Sequence, residues 1–445
     1  MTDTIAAIAT AGGVGSIAIV RLSGPDALSI AHHLAPGASF TPRQADLTSL
    51  YDEDHTLIDQ GIVLCFEAPR SFTGEAIVEF QCHGGQIVAQ EILTALLHHG
   101  ARLAEPGEFS KRAFLNGKID ASEAEAIAKM IEAQSTDAAR ILARQLKGEL
   151  GKFVEEIRSS LLRALAHSEV TIDYAEEIPS GVVQGLHDQL TELSDRMKRI
   201  VEGSHRRRGI FEGFRVAIIG KPNVGKSSLL NALLDYDRAI VSDIAGTTRD
   251  TIEEQVRIGS HMIRLIDTAG IRHSEDAIEK IGVKRSLNSV EEADVVIALF
   301  DGHRAFQKED ERILNLLDTL PHKECLAVIN KNDLPRTLDI KNLEKFSPIS
   351  ISTVEQVEPL IEALRSRLDS LGFGEDILLI STRQINAVEA ANRAIEEAIH
   401  PLNNGELELF SYHIQDAIGH IGTLTHPYEN DEVLDKMFGE FCLGK

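Results

Sequence analysis

The sequence predicts a multidomain chain of α/β and α+β character, with a doubly wound parallel sheet inserted into a helical bundle. The length of 445 residues corresponds to about three domains of ordinary size. Strand-like and helix-like segments alternate through residues 211–372, which is typical of a parallel sheet covered by helices. Helical patterns lie on both sides of that region. The two ends of the insertion should therefore lie close together.

Composition and charge exclude several classes of protein. Apolar residues make up 43% of the chain, which is too much for a disordered protein. The formal net charge of −24 argues against a general binder of phosphate backbones. No apolar run approaches the roughly 18 residues that span a bilayer, and the four cysteines are scattered without zinc-like spacing. We expect a reduced, cytoplasmic protein without a membrane segment or structural metal.

Residues 1–118 read as a mixed domain of helices and strands. Alternating apolar positions predict strands at Ile17–Leu22, Gly61–Phe66 and Ala76–Gln81. A helical pattern covers Val88–His98. Together these elements predict an α+β domain at the N-terminus.

Residues 119–210 and 373–445 have a helical pattern. Apolar side chains recur at steps of three or four from Leu142 to Leu165, which predicts one stripe along one long helix. Further helices are expected at about 183–199, 387–399 and 407–421. We expect the helices on the two sides of residues 211–372 to pack as one bundle.

The central region, residues 211–372, contains the strands of the predicted parallel sheet. They are expected at Arg215–Gly220, Met262–Asp267, Asp294–Asp301, Cys325–Asn330 and Pro348–Ser352. In sheets of this type, ligands bind at the carboxyl ends of the strands. The loops that follow these strands are therefore the candidate site.

The loop after the first central strand has the pattern of a phosphate-binding loop. Gly220–Ser227 matches GxxxxGK[ST] between a strand and a helix. The glycines allow backbone N–H groups to surround an oxyanion at the helix N-terminus. Lys226 supplies a positive charge to the β- and γ-phosphates, and the Ser227 hydroxyl can bind Mg²⁺.

Two further loops follow in the order that a GTP-binding domain needs. Asp267–Gly270 ends a strand, where the carboxylate can hold Mg²⁺ through water and the Gly270 N–H can meet the γ-phosphate. Asn330–Asp333 has the pattern NKxD, whose Asp can accept guanine N1–H and the 2-amino group. An isolated NKxD is weak evidence, because Asn and Asp are common in turns, but it is strong after the two preceding motifs. The last guanine loop is expected at Ser350–Ser352, in which Ile351 stands where a small residue is usual.

Two features depart from ordinary signalling GTPases. Ile271 follows the Asp267–Gly270 motif, where such proteins often have the Gln that orients the attacking water. An aliphatic side chain cannot do this, so another group is required. The phosphate loop also contains Asn223, and the candidate switch segment 241–250 contains adjacent Thr247 and Thr248. Their oxygens could form a cage for a monovalent cation.

Motifs outside the central domain identify a family. They are Ile19–Gly24, Ile77–Gly85, Glu105–Lys118 and the terminal Cys442–Lys445. Together with the inserted nucleotide domain, they make the chain resemble the MnmE (TrmE) family of bacterial tRNA-modification GTPases over essentially its whole length.

The resemblance implies a tetrahydrofolate-binding-like fold for residues 1–118. In the family this domain dimerises and holds a one-carbon donor, 5-formyl- or 5,10-methylene-tetrahydrofolate. The implied folate contacts are Arg21, Glu79, Lys118 and Lys445, and the family's terminal cysteine falls on Cys442. From the residues alone, a local salt bridge of Glu79 explains a carboxylate in an apolar strand equally well.

The resemblance also implies how the GTPase domain works. Family GTPase domains are activated by K⁺, here held by Asn223, Ser242, Ile244 and Thr247, and Mg²⁺ would sit on Ser227 and Thr248. Glu279 would orient water, so the catalytic candidates are Glu279, Lys226 and Cys442. The complete set of GTP-binding candidates is Asn223, Val224, Gly225, Lys226, Ser227, Ser228, Ser242, Asp243, Ile244, Ala245, Gly246, Thr247, Thr248, Asp267, Thr268, Ala269, Gly270, Asn330, Lys331, Asp333 and Ser350.

The resemblance implies a homodimer that assembles with an MnmG-like enzyme, which uses FAD and NADH, as a heterotetramer. This complex would add an aminomethyl-type group to the wobble uridine of certain tRNAs. The alternative is a regulatory or ribosome-assembly GTPase that binds RNA and modifies nothing. It shares the GTPase motifs but gives no reason for the flanking ones. Arg206–Arg208 is either a solvated hinge or a contact to tRNA phosphates.

Overall fold

The computed structural model describes residues 3–174, 180–240, 254–266, 290–320, 323–372, 377–427, 431–439, 441 and 444. The chain divides into two compact units. One unit comprises Met1–Ala128, Gln145–Ser194 and Asn386–Lys445, and the other comprises Lys129–Arg144 and Asp195–Ile385.

The N-terminal part of the first unit is an α+β domain built on one sheet. Its elements are β1 (Ile5–Ile8), β2 (Ile17–Ser23), α1 (Ala27–Leu34), β3 (Asp46–Tyr51), β4 (Leu57–Phe66), β5 (Ile77–His83), α2 (Gln86–His98), β6 (Arg102–Leu103) and α3 (Glu108–Leu115). The strand order is β3-β4-β5-β2-β1-β6. Only the β1–β6 pair is parallel among these described strands. The predicted strands and helix are confirmed as β2, β4, β5 and α2.

A buried arginine connects the elements of this domain. The Arg112 side chain is fully buried and donates to the backbone O and the Oδ1 of Asp3, both at 2.9 Å. It also donates to Glu75 and, at 2.9 Å, to Glu108 Oε1. Burial alone would lower the pKa of Arg112, but Glu108 and Glu75 raise it above its ordinary value. Arg112 therefore holds α3, the N-terminal segment and the loop before β5 together as a charged network.

The first group of helices differs from the prediction in one respect. The helices are α4 (Ala121–Glu132), α5 (Thr136–Gln145), α6 (Glu149–Tyr174), α7 (Ser180–Arg206) and α8 (Gly209–Glu212). The apolar stripe from Leu142 to Leu165 was expected on one long helix, which is wrong. Gly148 has φ = +75°, and the chain turns there between α5 and α6. The segment that contains α5 belongs to the second compact unit.

The second unit contains the predicted doubly wound sheet. Its elements are β7 (Phe214–Gly220), α9 (Lys226–Ile240), β8 (Glu254–Ile258), β9 (His261–Ile266), β10 (Val295–Asp301), α10 (Lys308–Asp318), β11 (Glu324–Asn330), β12 (Ile349–Ser350) and α11 (Glu358–Gly372). The order is β12-β11-β10-β7-β9-β8, and the described strand pairs are parallel except β8–β9. All five predicted strands are present, and β8 was not predicted.

The C-terminal helices are α12 (Thr382–Asn404), α13 (Leu407–Gly422) and α14 (Asp431–Gly439). The helices predicted at about 387–399 and 407–421 are confirmed as α12 and α13. The end of α14 packs against the start of α3. The approach is so close that a Cβ on Gly107 would lie 2.2 Å from the Phe438 backbone O. Lys111 and Asp435 form an ion pair across the same contact. None of the described helices combines the length and apolar character needed to cross a membrane.

We predict that Arg112→Ala destabilises the N-terminal domain by about 3–5 kcal/mol, because it breaks the buried ion pair with Glu108 and removes the charged partner of the largely buried Glu75. Urea titration of the free energy of unfolding measures this. Arg163→Ala is the control, since Arg163 is exposed and bonds only Ser159 and Ser160 among described residues. Its effect should stay within about 0.5 kcal/mol. Similar small effects of both substitutions would contradict the role of the network.

Candidate functional site

The phosphate-binding loop connects the end of β7 to the start of α9. Asn223 and Gly225 adopt positive φ values of +64° and +103°, which turn the backbone into the compact loop. The Lys226 Nζ donates to the carbonyl O atoms of Gly220 at 2.8 Å and Lys221 at 2.7 Å. Burial lowers the pKa of Lys226. An anion bound in the loop would stabilise the charged form of the Lys226 ammonium. The buried ammonium therefore favours the binding of a phosphate in this loop.

The side chain of Asn330 connects this loop to the base-recognition loops. Its Nδ2 donates to the Val224 carbonyl O at 2.9 Å, and its Oδ1 accepts from the Thr353 N–H at 3.1 Å. Asn330 is buried, so these bonds form away from water. A Cβ on Gly225 would lie 2.2 Å from Asn330 Nδ2. The close approach of the two loops thus requires glycine at position 225.

Lys331 makes a second connection between the same loops. It has a φ of +65°, and its Nζ donates to the Asn223 carbonyl O at 3.1 Å. The Nζ also lies 2.6 Å from Oδ2 of Asp301, a buried carboxylate at the end of β10. The ion pair fixes the ammonium at the rim of the phosphate loop.

Asp333 is oriented by a hydroxyl group from the following loop. Its Oδ1 accepts a hydrogen bond from Ser352 Oγ at 2.9 Å. The Ser352 Oγ in turn accepts from the N–H of Glu355 at 3.2 Å. In the described part of the chain, Asp333 Oδ2 has no further partner. A carboxylate held by one oxygen can accept the N–H groups of a guanine edge with the other.

The guanine loop differs from the expectation at Ser350. The Ser350 Oγ accepts from Arg336 Nη2 at 2.8 Å, and Ser350 pairs with Ile329 as part of β12. The hydroxyl that contacts Asp333 belongs to Ser352, two residues later. Ile351, between them, is buried and packs inward from the strand end. The geometry therefore favours Ser352, which lies within the expected loop, and Thr353, which was missed from the sequence.

Ser227 and Ser228 lie exposed in the first turn of α9, and Val224 is buried beneath the loop. Of the proposed K⁺ and Mg²⁺ ligands, the structure describes Asn223 and Ser227. The remaining predicted site residues lie outside the described residues: Ser242, Asp243, Ile244, Ala245, Gly246, Thr247, Thr248, Asp267, Thr268, Ala269, Gly270, Glu279, Cys442 and Lys445.

In the N-terminal domain, two predicted folate contacts bind each other. Arg21 and Glu79 are directly opposite in the β2–β5 pair, and both Nε and Nη2 of Arg21 lie 2.8 Å from Glu79 Oε1. The guanidinium carbon is 5.7 Å from the Phe109 ring centroid and 5.9 Å from that of Phe72. The salt bridge considered from the sequence is therefore present. Glu79 Oε2 makes no hydrogen bond with other described residues and can accept from a ligand.

The C-terminal motif reaches this ion pair. The Gly444 carbonyl O lies 3.5 Å from Arg21 Nη1. A Cβ on Gly444, where φ is +89°, would lie 2.5 Å from the Ile8 carbonyl O. Lys118 has a different partner, since its Nζ donates to the Pro69 carbonyl O at 2.9 Å. The structure thus brings Arg21, Glu79 and Gly444 together, with Lys118 bonded to the loop before β5.

Comparison with known proteins identifies the family. Residues 4–118 match the model of the GTP-binding protein TrmE N-terminus, and residues 122–442 match that of the MnmE helical domain. The chain belongs to the MnmE family of tRNA modification GTPases. It is 62% identical to the tRNA modification GTPase MnmE of Sulfurovum sp. and 54% identical to that of Aliarcobacter butzleri. In each case the match covers 100% of this chain and 99% of the relative.

Membership of the MnmE family confirms the resemblance found from the sequence. It confirms the prediction of a GTP hydrolase that acts in tRNA modification. The fold class is confirmed as well, with an N-terminal TrmE domain, a helical domain and a phosphate-loop GTPase sheet.

The aromatic residues beside Arg21 were not predicted as site residues. Phe109 lies within the Glu105–Lys118 motif, so its position in that motif was an available signal. Phe72 lies in a loop without periodicity, and only the fold brings it to the ion pair. Thr353 was missed because it lies one residue beyond the expected guanine loop Ser350–Ser352.

We predict that Gly225→Ala and Asn330→Ala each weaken GTP binding, the second by about 1–3 kcal/mol because it leaves buried backbone groups unpaired. The double variant should lose less GTP-binding free energy than the two single variants lose together, since Asn330→Ala removes the atom that the new Cβ would meet. A coupling of about 0.5–3 kcal/mol is expected from the dissociation constants of a fluorescent GTP analogue.

Gly220→Ala is the matched control for this cycle. A Cβ at Gly220 would meet the Leu299 carbonyl O at 2.7 Å, and none of its three nearest atoms belongs to Asn330. Its effect should add to that of Asn330→Ala. If the losses of binding free energy for Gly225→Ala and Asn330→Ala were additive as well, the proposed close approach would be refuted.

Proposed function

We propose that this member of the MnmE family is a K⁺-activated GTPase that modifies the wobble uridine of certain tRNAs together with an MnmG-like partner, an enzyme that uses FAD and NADH. The pair would add an aminomethyl-type group at C5, with 5-formyl- or 5,10-methylene-tetrahydrofolate as the one-carbon donor. The observation that carries the proposal is the contact of the terminal Gly444 with Arg21 of the Arg21–Glu79 pair. A GTPase that only acts as a switch has no need of this contact.

In the nucleotide site, each described residue has a physical role. Lys226 would contact the β- and γ-phosphates, and its buried ammonium gains an anionic partner there. Asp333 would accept the two guanine N–H groups, with its carboxylate oriented by Ser352. This pairing selects GTP over ATP because adenine has no N1–H. The rest of the nucleotide pocket would be formed by Val224, Gly225, Ser228, Asn330, Lys331 and Thr353.

Metal ions would neutralise the phosphate charge in this site. Mg²⁺ would be held by Ser227 and Thr248, with Asp267 acting through water. K⁺ would be held by Asn223, Ser242, Ile244 and Thr247. Asn223 is exposed in the phosphate-binding loop, which fits a ligand role. Glu279 would orient the attacking water in place of the Gln that Ile271 replaces.

In the N-terminal domain, the ion pair would bind the folate. Glu79 Oε2 would accept from the amino face of the pterin, and the rings of Phe72 and Phe109 offer flat apolar surfaces beside it. Arg21, Lys118 and Lys445 would supply positive charge to the glutamate tail. Cys442 lies between Phe441, which packs beside Phe438, and Gly444, which contacts the domain. Its thiol would therefore act beside the folate.

We propose three domains, residues 1–118 for folate binding and dimerisation, 119–210 with 373–445 for the helical bundle, and 211–372 for the GTPase. The active form would be a cytoplasmic homodimer that forms a heterotetramer with the partner. Arg206 lies 3.8 Å from Glu202 and Arg208 lies 2.7 Å from Glu212. These pairs favour the solvated-hinge interpretation of Arg206–Arg208.

We predict that K⁺ raises the GTP hydrolysis rate over Na⁺ by about tenfold or more, since charge placed at a transition state typically contributes at least that much. Asn223→Ala should erase the difference between the cations. Asn342→Ala, an exposed substitution outside the site, is the control and should keep it. A wild-type rate that is indifferent to the cation would remove the K⁺ assignment.

We predict that Cys442→Ser abolishes wobble-uridine modification and leaves GTP hydrolysis unchanged, because the thiol acts in the folate site. Nucleoside mass spectrometry and a phosphate-release assay measure the two activities. Cys325→Ser, in β11 of the GTPase sheet, is the thiol control and should keep modification.

Calorimetry with 5-formyltetrahydrofolate tests the folate site directly. Glu79→Gln removes a charged acceptor and should weaken binding by about 1.5–3 kcal/mol. Binding to neither the wild type nor the variant, or full modification by Cys442→Ser, would contradict the folate assignment.

A further inference from the structure

His261 is a buried titratable side chain that the proposed chemistry does not use. It begins β9 and is 1% exposed. Its Nε2 lies 2.8 Å from Asp369 Oδ1, and its Nδ1 lies 3.9 Å from Asp137 Oδ2. Nδ1 makes no hydrogen bond with any other described residue. A buried imidazole with one nitrogen unpaired among the described residues is costly as a packing residue, which points to another role.

The two carboxylates come from helices on different segments of the chain. Asp137 lies on α5 and Asp369 on α11. The turn of the β8–β9 hairpin makes further contacts with the α5 segment, since Ser260 Oγ donates to Asp137 Oδ2 at 3.1 Å and Arg257 donates to the Gln134 carbonyl O at 3.3 Å. We call Asp137, His261 and Asp369 the hairpin contact.

The other end of the hairpin leads to the expected nucleotide switches. β8 begins at Glu254, shortly after the candidate switch segment 241–250, and β9 ends at Ile266, directly before the Asp267–Gly270 motif. The strands pair in unbroken antiparallel register from Glu254–Leu265 to Ile258–His261. A displacement at the switch end of this paired ribbon would therefore move its turn.

The two helices of the hairpin contact belong to different parts of the proposed domain organisation. α5 lies within residues 119–210, the first segment of the proposed bundle, and is followed by α6, whereas α11 is the last described helix of the proposed GTPase domain before α12. Asp137 and Asp369 thus attach the hairpin turn to one helix of the proposed bundle and to one helix that leads into its second segment. Moving His261 away from Asp369 would break a hydrogen bond that is partly buried, so α11 should follow the hairpin.

We propose that the hairpin contact couples the nucleotide state of the GTPase domain to the helical segments, with His261, Asp137 and Asp369 as positioning residues. Coupling requires that the hairpin has two arrangements that GTP and GDP bias differently. This inference rests on the proposed function only in assuming that GTP hydrolysis drives modification in the rest of the chain.

Hydrogen exchange of the full-length protein tests the coupling. In the wild type, amide exchange in α5 and α11 should differ between GDP and a non-hydrolysable GTP analogue. The double variant Asp137→Asn, Asp369→Asn should lose this difference while keeping GTP affinity and hydrolysis. Its tRNA modification should fall at least about fivefold, the lower end of typical allosteric coupling. Because His261 is buried, it is left intact to protect folding.

Asp318→Asn is the matched control, since it removes the Lys345 ion pair elsewhere in the same unit. It should keep both the exchange difference and modification. Identical wild-type exchange with the two nucleotides, or a difference that survives in the double variant, would overturn the coupling. So would a parallel loss of hydrolysis and thermal stability, which would indicate a purely structural contact. The exchange result stands even if the modification chemistry is not the one proposed.

Discussion

The hydrogen bonds of the Asn330 side chain are the constraint on which the nucleotide site depends. A single amide joins the phosphate loop at Val224 to the guanine loop at Thr353. Because the amide is buried, leaving either group unpaired would cost about 1–3 kcal/mol, so the two loops are held at a fixed separation. That separation requires Gly225, whose missing Cβ leaves room for the amide. The phosphate and base sites are therefore preorganised before nucleotide binds, which reduces the entropy lost on binding.

The N-terminal domain uses charge and close backbone approach to order the end of the chain. A cysteine near a chain terminus is usually mobile, because terminal residues have few contacts. Here Gly107 admits the end of α14 at Phe438, and Gly444 approaches the Ile8 carbonyl O, so both of these described positions contact the N-terminal domain. The Arg112 network supports α3, on which α14 packs. Gly444 consequently lies beside the Arg21–Glu79 pair.

Sequence patterns predicted the elements whose signal is local. Alternating apolar residues located the strands, and the phosphate-loop and NKxD motifs identified the nucleotide loops. The other features depend on backbone conformation and long-range strand pairing, which local sequence patterns do not report. Apolar spacing continues across Gly148 although its positive φ separates two helices, because periodicity does not report backbone conformation. Within the expected guanine loop Ser350–Ser352, only the pairing of β12 with β11 shows that Ser350 belongs to the sheet. The Arg21–Glu79 pair likewise required the register of β2 and β5.

The rigidity of the nucleotide loops determines where movement can occur. Asn330 and Lys331 fix the phosphate loop on one side, and Lys221 fixes it on the other through Asp310, whose Oδ2 lies 2.5 Å from the ammonium. A change of nucleotide therefore cannot easily move these loops relative to each other. The β8–β9 hairpin is held differently, since β8 is the edge strand and pairs only with β9 in the described sheet. An edge strand is less restrained, and this hairpin is directly connected to both expected switch segments. It is therefore the element best suited to move with the nucleotide.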